Sequence, residues 1–455
     1  MANNLTKNQE LLITIKRIGI NGEGIGYYKR LAIFVNGVIP GEEVTVRVKE
    51  VYDKYAKAEL VKIKKSNAEL RTTPLCKYYG RCGGCQLQHI NYDYSLKIKK
   101  FLVEEAFKRY YPKDLNPVIF KDVIGMENPW HYRNKTKLPV RYDGEKIVTG
   151  LYEENANSLV YIDDCLIERE DIRKCVQQIC QVLSKAQIIA YNPRTKEGVL
   201  RNIVVRSSKF TKEIQVTLIL YKEDKRTIKI AGELIDLENV NSVFYSINSD
   251  PDGLETLNTK TIKIIGQDNI KEAIGDYRFN ILPASFFQLN LEQTKKLYDY
   301  IVSVSKLKGH ENVLDAYCGV GTIGLYVSKY VKSVKGIDTN KQAIENAKEN
   351  ALENKANNVD FYFGNLLPHL HTFKAKGWTP DVVIVDPPRS GLDLNVIKYL
   401  QDNPVQKIIY VSCNPATLAK NCAHLMSNYV IMSIQPLDMF PQTADVETVV
   451  CLLHK

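Results

Sequence analysis

Long apolar runs are absent from this 455-residue chain: no stretch of 18 apolar residues occurs, so no membrane-crossing helix is expected. The opening stretch, Met-Ala-Asn-Asn-Leu-Thr-Lys-Asn-Gln-Glu, has no apolar signal core, which points to the cytoplasm. Neither an internal repeat nor a low-complexity linker is evident, which argues against a repeat array. Charge excess is small. Lys and Arg number 62 and Asp and Glu 52, a net +10, which is a modest bias toward a polyanion. The composition that remains, 44% hydrophobic and 25% charged, is that of a globular protein with room for two to four domains.

Residues 1–65 carry 12 Lys/Arg against 7 Asp/Glu. Strands are expected at 11–17, 31–38, 43–51 and 56–63, separated by Asn21-Gly22, Asn36-Gly37 and Pro40-Gly41. So many short strands in so little chain predict a small antiparallel barrel of OB type. Its cations would grip nucleic acid, with Tyr27, Tyr28 and Phe34 available for stacking; the alternative is an appendage whose aromatics fill its own core. Gly22-Glu-Gly24-Ile-Gly26 opens no helix and is not read as a nucleotide loop. This stretch resembles a TRAM domain, an RNA-binding barrel.

Ten cysteines in a cytosolic chain suit metal binding or catalysis better than disulfides. Cys76-x5-Cys82-x2-Cys85, with Gly83-Gly84 letting the backbone fold around a ligand, suits a soft-metal site. Cys165, at the end of an extended run, is the expected fourth ligand; Cys175 and Cys180 fall in a helix-like stretch where buried thiols are common. Zinc is the alternative metal, but it usually takes two Cys-x2-4-Cys pairs. Three clustered ligands and one remote favour iron–sulfur. Four thiolates leave no iron open, so the cluster would be structural or redox-sensing.

The central region, 66–280, is expected to be a mostly antiparallel α+β domain. It has a basic helix over 92–111 (Lys97, Lys99, Lys100, Lys108, Arg109) and strands at 200–206, 214–221 and 242–248. From Trp130 to Arg141, charges alternate with aromatic and apolar residues, a pattern that would turn cations to a phosphate backbone.

Residues 281–455 read as a Rossmann-like α/β domain. Asn312-Val-Leu-Asp315-Ala-Tyr317-Cys318-Gly319-Val-Gly321-Thr322 is a strand, a Gly-rich turn and a helix start. The next strand, 331–338, ends in Asp338, placed to hold a ribose diol, and Asn365 after the third is placed to meet adenine. A ribose-binding acid fits NAD as well as S-adenosylmethionine. Asp315 beside the turn favours the cationic S-adenosylmethionine over a pyrophosphate. Two apolar runs then end abruptly, one in Asp386-Pro387-Pro388-Arg389 and one in Ser412-Cys413-Asn414-Pro415. Ligands sit at the carboxyl ends of such strands. A thiol there points to addition at C6 of a uracil, which makes C5 nucleophilic toward a methyl donor. A base must later remove the C5 proton, and Glu447, just before the last strand, is the expected one. The thiol needs activation, because a free thiol is only a few per cent thiolate at neutral pH.

Asp-x-x-Cys-Gly-x-Gly, Asp-Pro-Pro-Arg, Ser-Cys-Asn-Pro and the late Glu447 together resemble the RNA uracil-C5 methyltransferase family. The barrel and Cys76/Cys82/Cys85/Cys165 resemble its 23S ribosomal RNA branch, whose members carry a [4Fe–4S] cluster. The resemblance covers nearly the whole chain. It implies Cys413 as nucleophile, Glu447 as general base and Asp386 near the target base. It also implies cofactor contacts from Gln288, Tyr317, Thr322, Asp338, Asn365 and Asp386. A single-stranded or loop region of 23S ribosomal RNA is the expected substrate, bound by a monomer, with the uridine leaving its stack to reach Cys413. Transfer RNA is the second substrate considered, in a branch expected to lack the barrel and the cluster. A non-catalytic RNA-binding or iron–sulfur sensing protein is the alternative of another class.

Overall fold

The structure, a computed structural model, describes residues 5–153, 158–250 and 260–455; the first four residues of the opening stretch lie outside them. Strands Glu10–Ile18, Gly24–Tyr28, Leu31–Val35, Glu43–Val51 and Tyr55–Lys65 close into a barrel. Strict alternation does this: Leu11, Ile13 and Ile15 point inward while Leu12 and Lys16 face solvent. Two expectations change here. The glycine run at 22–26 supplies a strand, because a Cβ on Gly24 would fall 2.2 Å from Val38 and one on Gly26 2.9 Å from the Thr14 carbonyl oxygen. Closure is also not wholly antiparallel, since Leu31–Val35 pairs parallel with Tyr55–Lys65. Of the aromatics expected to stack on RNA, only Tyr27 is well exposed; Phe34 packs edge-on against Tyr55 and Tyr28 rests on the barrel core.

The central sheet runs Ile262–Gly266, Val240–Ile247, Ile214–Leu220, Leu200–Ser207, Lys135–Tyr142, Ile147–Tyr152, Leu159–Tyr161. It is antiparallel except where Ile214–Leu220 meets Val240–Ile247. Helix Glu170–Lys185 covers it with Ile172, Val176, Ile179 and Leu183, one apolar stripe at helical spacing. The strand expected from Trp130 begins only at Lys135, after a left-handed His131. Lys135 is not a free cation on an RNA-facing surface. It is half-buried, with Nζ 3.5 Å from the Pro283 carbonyl, and burial together with Arg206 pushes its pKa down to about 6.

Seven strands form the C-terminal sheet: Asn312–Ala316 (β1), Ser333–Asp338 (β2), Val359–Phe363 (β3), Val382–Val385 (β4), Lys407–Ser412 (β5), Tyr429–Leu437 (β6) and Glu447–His454 (β7). Their order is β3-β2-β1-β4-β5-β7-β6. Strands β1 to β5 are parallel, and β7 runs antiparallel between β5 and β6. The order reverses between β1 and β4, where an open sheet leaves a ligand crevice. Because β7 is inverted, its amino end lies level with the carboxyl end of β5, and Thr448 pairs with Ser412.

A segment far away in sequence completes this unit. Helix Tyr92–Tyr110 buries Val103 and Phe107 in the core that also holds β4, β5 and helix Pro415–Leu425. Phe120 and Ile124 then bridge to Ile434 and Leu437 on the β6 edge. The helix is not basic all round. Lys99 is fully buried, with Nζ 2.5 Å from Asp438 Oδ1 and 3.1 Å from the Phe440 carbonyl, while Lys100 pairs with Asp122. Among the described residues, no helix is long and apolar enough to cross a membrane.

Removing one partner of a buried ion pair strands the other. Lys99→Met is expected to cost about 3–5 kcal/mol in urea unfolding. Adding Asp438→Asn should recover part of that loss, because the unpaired charge is then gone.

Candidate active site and cysteine site

Prolines stop β4, since Pro387 and Pro388 cannot donate to the ladder, and this leaves Asp386 at the strand mouth. After β5, Asn414 caps helix Pro415–Leu425 by accepting from the Ala416 and Thr417 N–H groups, with Pro415 in the first helical turn. Cys413 is thereby held half-buried between strand and helix. Arg389 reaches toward it from the loop after β4, acts to favour the thiolate and pairs with Asp445 at 2.7 Å. Burial and then Glu447 push the Cys413 thiol up; Arg389 works in the opposite sense.

Glu447 opens β7 and is almost wholly buried, and its Oε1 has no hydrogen-bond partner among the described residues. Burial first, then Asp386 and Asp445, hold its carboxyl well above the usual carboxylate range. Asp386 is pushed up to about 7 by burial.

The residues expected around a cofactor share the same edge, with one exception. Tyr317 follows β1 in a left-handed conformation (φ 65°), and Gly321 follows at φ 81°, where a Cβ would lie 2.4 Å from the Phe361 ring. Thr322 begins the next helix with its hydroxyl 2.7 Å from that of Tyr298. Asp338, ending β2, accepts from the N–H groups of Gly319 (2.9 Å) and Asn340 (2.8 Å). Asn365 follows β3 and is exposed. Gln288 comes from outside this edge, on the loop after hairpin Ile270–Ile274/Tyr277–Ile281, and its carbonyl accepts from Asn134.

Asp315 contributes more than the sequence signal conveyed. It is buried in β1, Oδ2 accepts from the Gly324 N–H at 2.7 Å, and Oδ1 has no partner among the described residues. Burial, with Asp386 and Asp338 adding, pushes it up to about 7. Asp386 and Asp338 thus both act on Asp315, and no cation is among the groups that shift it, an arrangement suited to a positively charged ligand. Gly319, Gly321 and Gly324 do stand at dinucleotide-loop spacing, Gly-x-Gly-x-x-Gly. Here, however, the Gly324 N–H is taken by an acid, and that acid would repel a pyrophosphate.

Cys76, Cys82, Cys85 and Cys165 line one small cavity with Tyr78, Tyr79 and Gln88. Burial pushes Cys85 up to about 12, with Cys82 and Cys76 adding; Cys165 is raised by burial, then by Glu168 and Cys85. Cys175 instead lies on the buried face of helix Glu170–Lys185, in the core of the central sheet. Among the described residues, no three His, Cys, Asp or Glu side chains are placed to hold a metal ion. The four thiols share this one cavity, a donor set that suits a thiophilic group.

The tRNA (Uracil-5-)-methyltransferase family matches residues 91–455, and the TRAM domain matches residues 4–61. A protein described as an uncharacterized RNA methyltransferase in Halalkalibacterium halodurans is 40% identical over 454 residues, 99% of this chain and 98% of that one. One of the same description in Bacillus cereus is 39% identical over 453 residues, again 99% and 98%. Among solved structures, Pyrococcus abyssi tRNA (uracil-54, C5)-methyltransferase in complex with S-adenosyl-L-homocysteine superposes with a TM-score of 0.77 at 30% identity, covering 97% of this chain and 99% of that one. With its C-terminal Rossmann-like sheet and its TRAM barrel, the chain belongs to the tRNA (uracil-5-)-methyltransferase family and is an S-adenosylmethionine-dependent RNA uracil-C5 methyltransferase.

Proposed function

We propose that this enzyme methylates C5 of specific uridines in a single-stranded or loop region of 23S ribosomal RNA, through a covalent bond from Cys413 to C6, giving 5-methyluridine. The supporting observation is the meeting of Cys413, Arg389 and the buried carboxyl of Glu447 at one strand edge. The Cys413 thiolate adds to C6, and the displaced pair moves to O4, so C5 becomes an enolate carbon. The bound cofactor supplies an electrophilic methyl group. Arg389 lowers the cost of the thiolate. Glu447 then takes the C5 proton, the pair restores the C5–C6 double bond, and the thiolate leaves. A carboxylate with a raised pKa is a better base for that proton than an exposed one.

Asp386 borders the target base. Gln288, Tyr317, Thr322, Asp338, Asn365 and Asp386 would hold S-adenosylmethionine, whose positive charge suits the uncompensated acids. Cys76, Cys82, Cys85 and Cys165 would hold a [4Fe–4S] cluster, structural or redox-sensing, with no iron left open to the substrate. The enzyme acts as a cytoplasmic monomer in this reading.

Transfer RNA is the second reading, and a specific observation favours it. The Pyrococcus abyssi protein is a tRNA (uracil-54, C5)-methyltransferase, and its likeness covers 97% of this chain, a span that includes the barrel. The barrel therefore does not separate the two substrates, contrary to the sequence expectation. Incubation with labelled cofactor and RNA from cells lacking the protein, followed by nucleoside digestion, separates them. The expected product is 5-methyluridine in ribosomal RNA, lost in Cys413→Ala; label in transfer RNA alone would move the assignment to that substrate.

Thiol activation is tested without RNA. Alkylation of Cys413 by iodoacetamide, followed against pH, should shift to higher pH in Arg389→Met, where the stabilising cation is gone. It should shift to lower pH in Glu447→Gln, where the opposing carboxylate is gone.

A further inference from the structure

The cysteine turn ends directly on the loop that delivers Glu447. The N–H groups of Gln86 and Leu87 both donate to the Gln442 carbonyl at 3.0 Å. The Gln86 side chain bridges the two elements. Its Nε2 donates to the Gly83 carbonyl at 2.8 Å, inside the Cys82-Gly83-Gly84-Cys85 turn, and its Oε1 accepts from the Ala444 N–H at 3.3 Å. The Gln86 carbonyl in turn accepts from the Tyr79 hydroxyl at 2.6 Å. Gly22 of the barrel seals the contact, since a Cβ there would fall 2.5 Å from Gln86 Cβ and 3.3 Å from Ala444 Cβ.

The loop needs such support. Gln442 sits at φ 71°, a left-handed conformation costly for glutamine. Lys99, Tyr132 and Asn290 hold the carbonyls of Phe440, Pro441 and Met439, the near side of the loop only. The Gln86 segment reaches the far side, at Gln442 and Ala444. Two residues follow Ala444 before Glu447, and the first of them, Asp445, pairs with the Arg389 that bears on Cys413.

We propose that Gln86 is a positioning residue that couples the cysteine site to the base Glu447, so that the state of the cysteine turn sets the rate of proton removal from C5. This rests on the reading of Glu447 as base. A turn fixed by a group on its thiols holds the Gln86 amide in register with Ala444. A turn released from that group lets the loop relax from its left-handed conformation, and Glu447 moves with it.

Gln86→Leu removes both amide bonds, while Gln86→Glu keeps the acceptor for Ala444. In Gln86→Leu, kcat should fall roughly a hundredfold, the cost of about an ångström of misplacement, with KM for the methyl donor changed by less than about twofold. Proton removal alone should slow, so the RNA adduct of Cys413 should accumulate. The pH limb of Glu447, whose field comes from Asp386, Asp445 and Arg389, should move. Gln86→Glu should recover part of kcat. Amide hydrogen exchange across 440–446 should rise in Gln86→Leu and also in Cys82→Ser, with the barrel strands unchanged. Wild-type kcat in Gln86→Leu, or wild-type exchange at 440–446 in Cys82→Ser, overturns the coupling. If Glu447→Gln itself accumulates no adduct, the assignment of the base fails instead, and the exchange data alone decide the coupling.

Discussion

Asp438 closes β6 with its carboxylate buried, and Lys99, 339 residues earlier in the chain, neutralises it at 2.5 Å. Neither charge is tolerable there alone. The pair therefore fixes helix Tyr92–Tyr110 on the C-terminal sheet, and the Tyr92 hydroxyl adds a second bond to the same carboxylate. From this point the chain runs through eight residues to Glu447 at the start of β7. Asn290, Gln293 and Tyr132 all direct hydrogen bonds at the backbone of that stretch. The position of the proposed base is thus set by tertiary contacts from several distant segments.

Two opposed electrostatic environments meet at the strand edge. On the side of β1, β2 and β4, Asp315, Asp338 and Asp386 gather negative charge, and Asp315 Oδ1 has no hydrogen-bond partner among the described residues. On the β5–β7 side, Arg389 is the one cation that offsets the charges of Cys413 and Glu447 among the groups that shift them. A cationic methyl donor belongs on the first side and an anionic thiolate on the second. In the proposed reaction the uracil ring would lie between them, taking a methyl group from one and a bond from the other.

Much of this was legible in the sequence, because it is carried by strand ends. Asp338, Asp386 and Cys413 each follow a short apolar run, and a parallel sheet turns such runs into one functional edge. Glu447 was legible as an acid just before the last apolar run, although its level with Cys413 depends on the inverted β7. The rest was written in tertiary contacts. Lys99 reads as one more lysine on a basic helix until Asp438 is brought to it. Lys135 reads as an RNA-facing cation until Arg206 and Pro283 cover it. Arg389 stands 24 residues before Cys413 and 56 before Asp445 in sequence, and no local pattern announces that it serves both. The glycine run of the barrel gives no strand signal in sequence, because only the closed barrel brings Val38 and the Thr14 carbonyl against Gly24 and Gly26.

The most direct test of the covalent account uses RNA in which the target uridine carries fluorine at C5. Addition of Cys413 and methylation can proceed, but no proton remains for Glu447 to remove, so the adduct is trapped. The account predicts a denaturation-resistant complex, formed only with the methyl donor present. Digestion should yield a peptide containing Cys413 that bears methylated 5-fluorouridine. Release of methylated fluorinated RNA without a trapped complex, or an equal complex in Cys413→Ala, would contradict it.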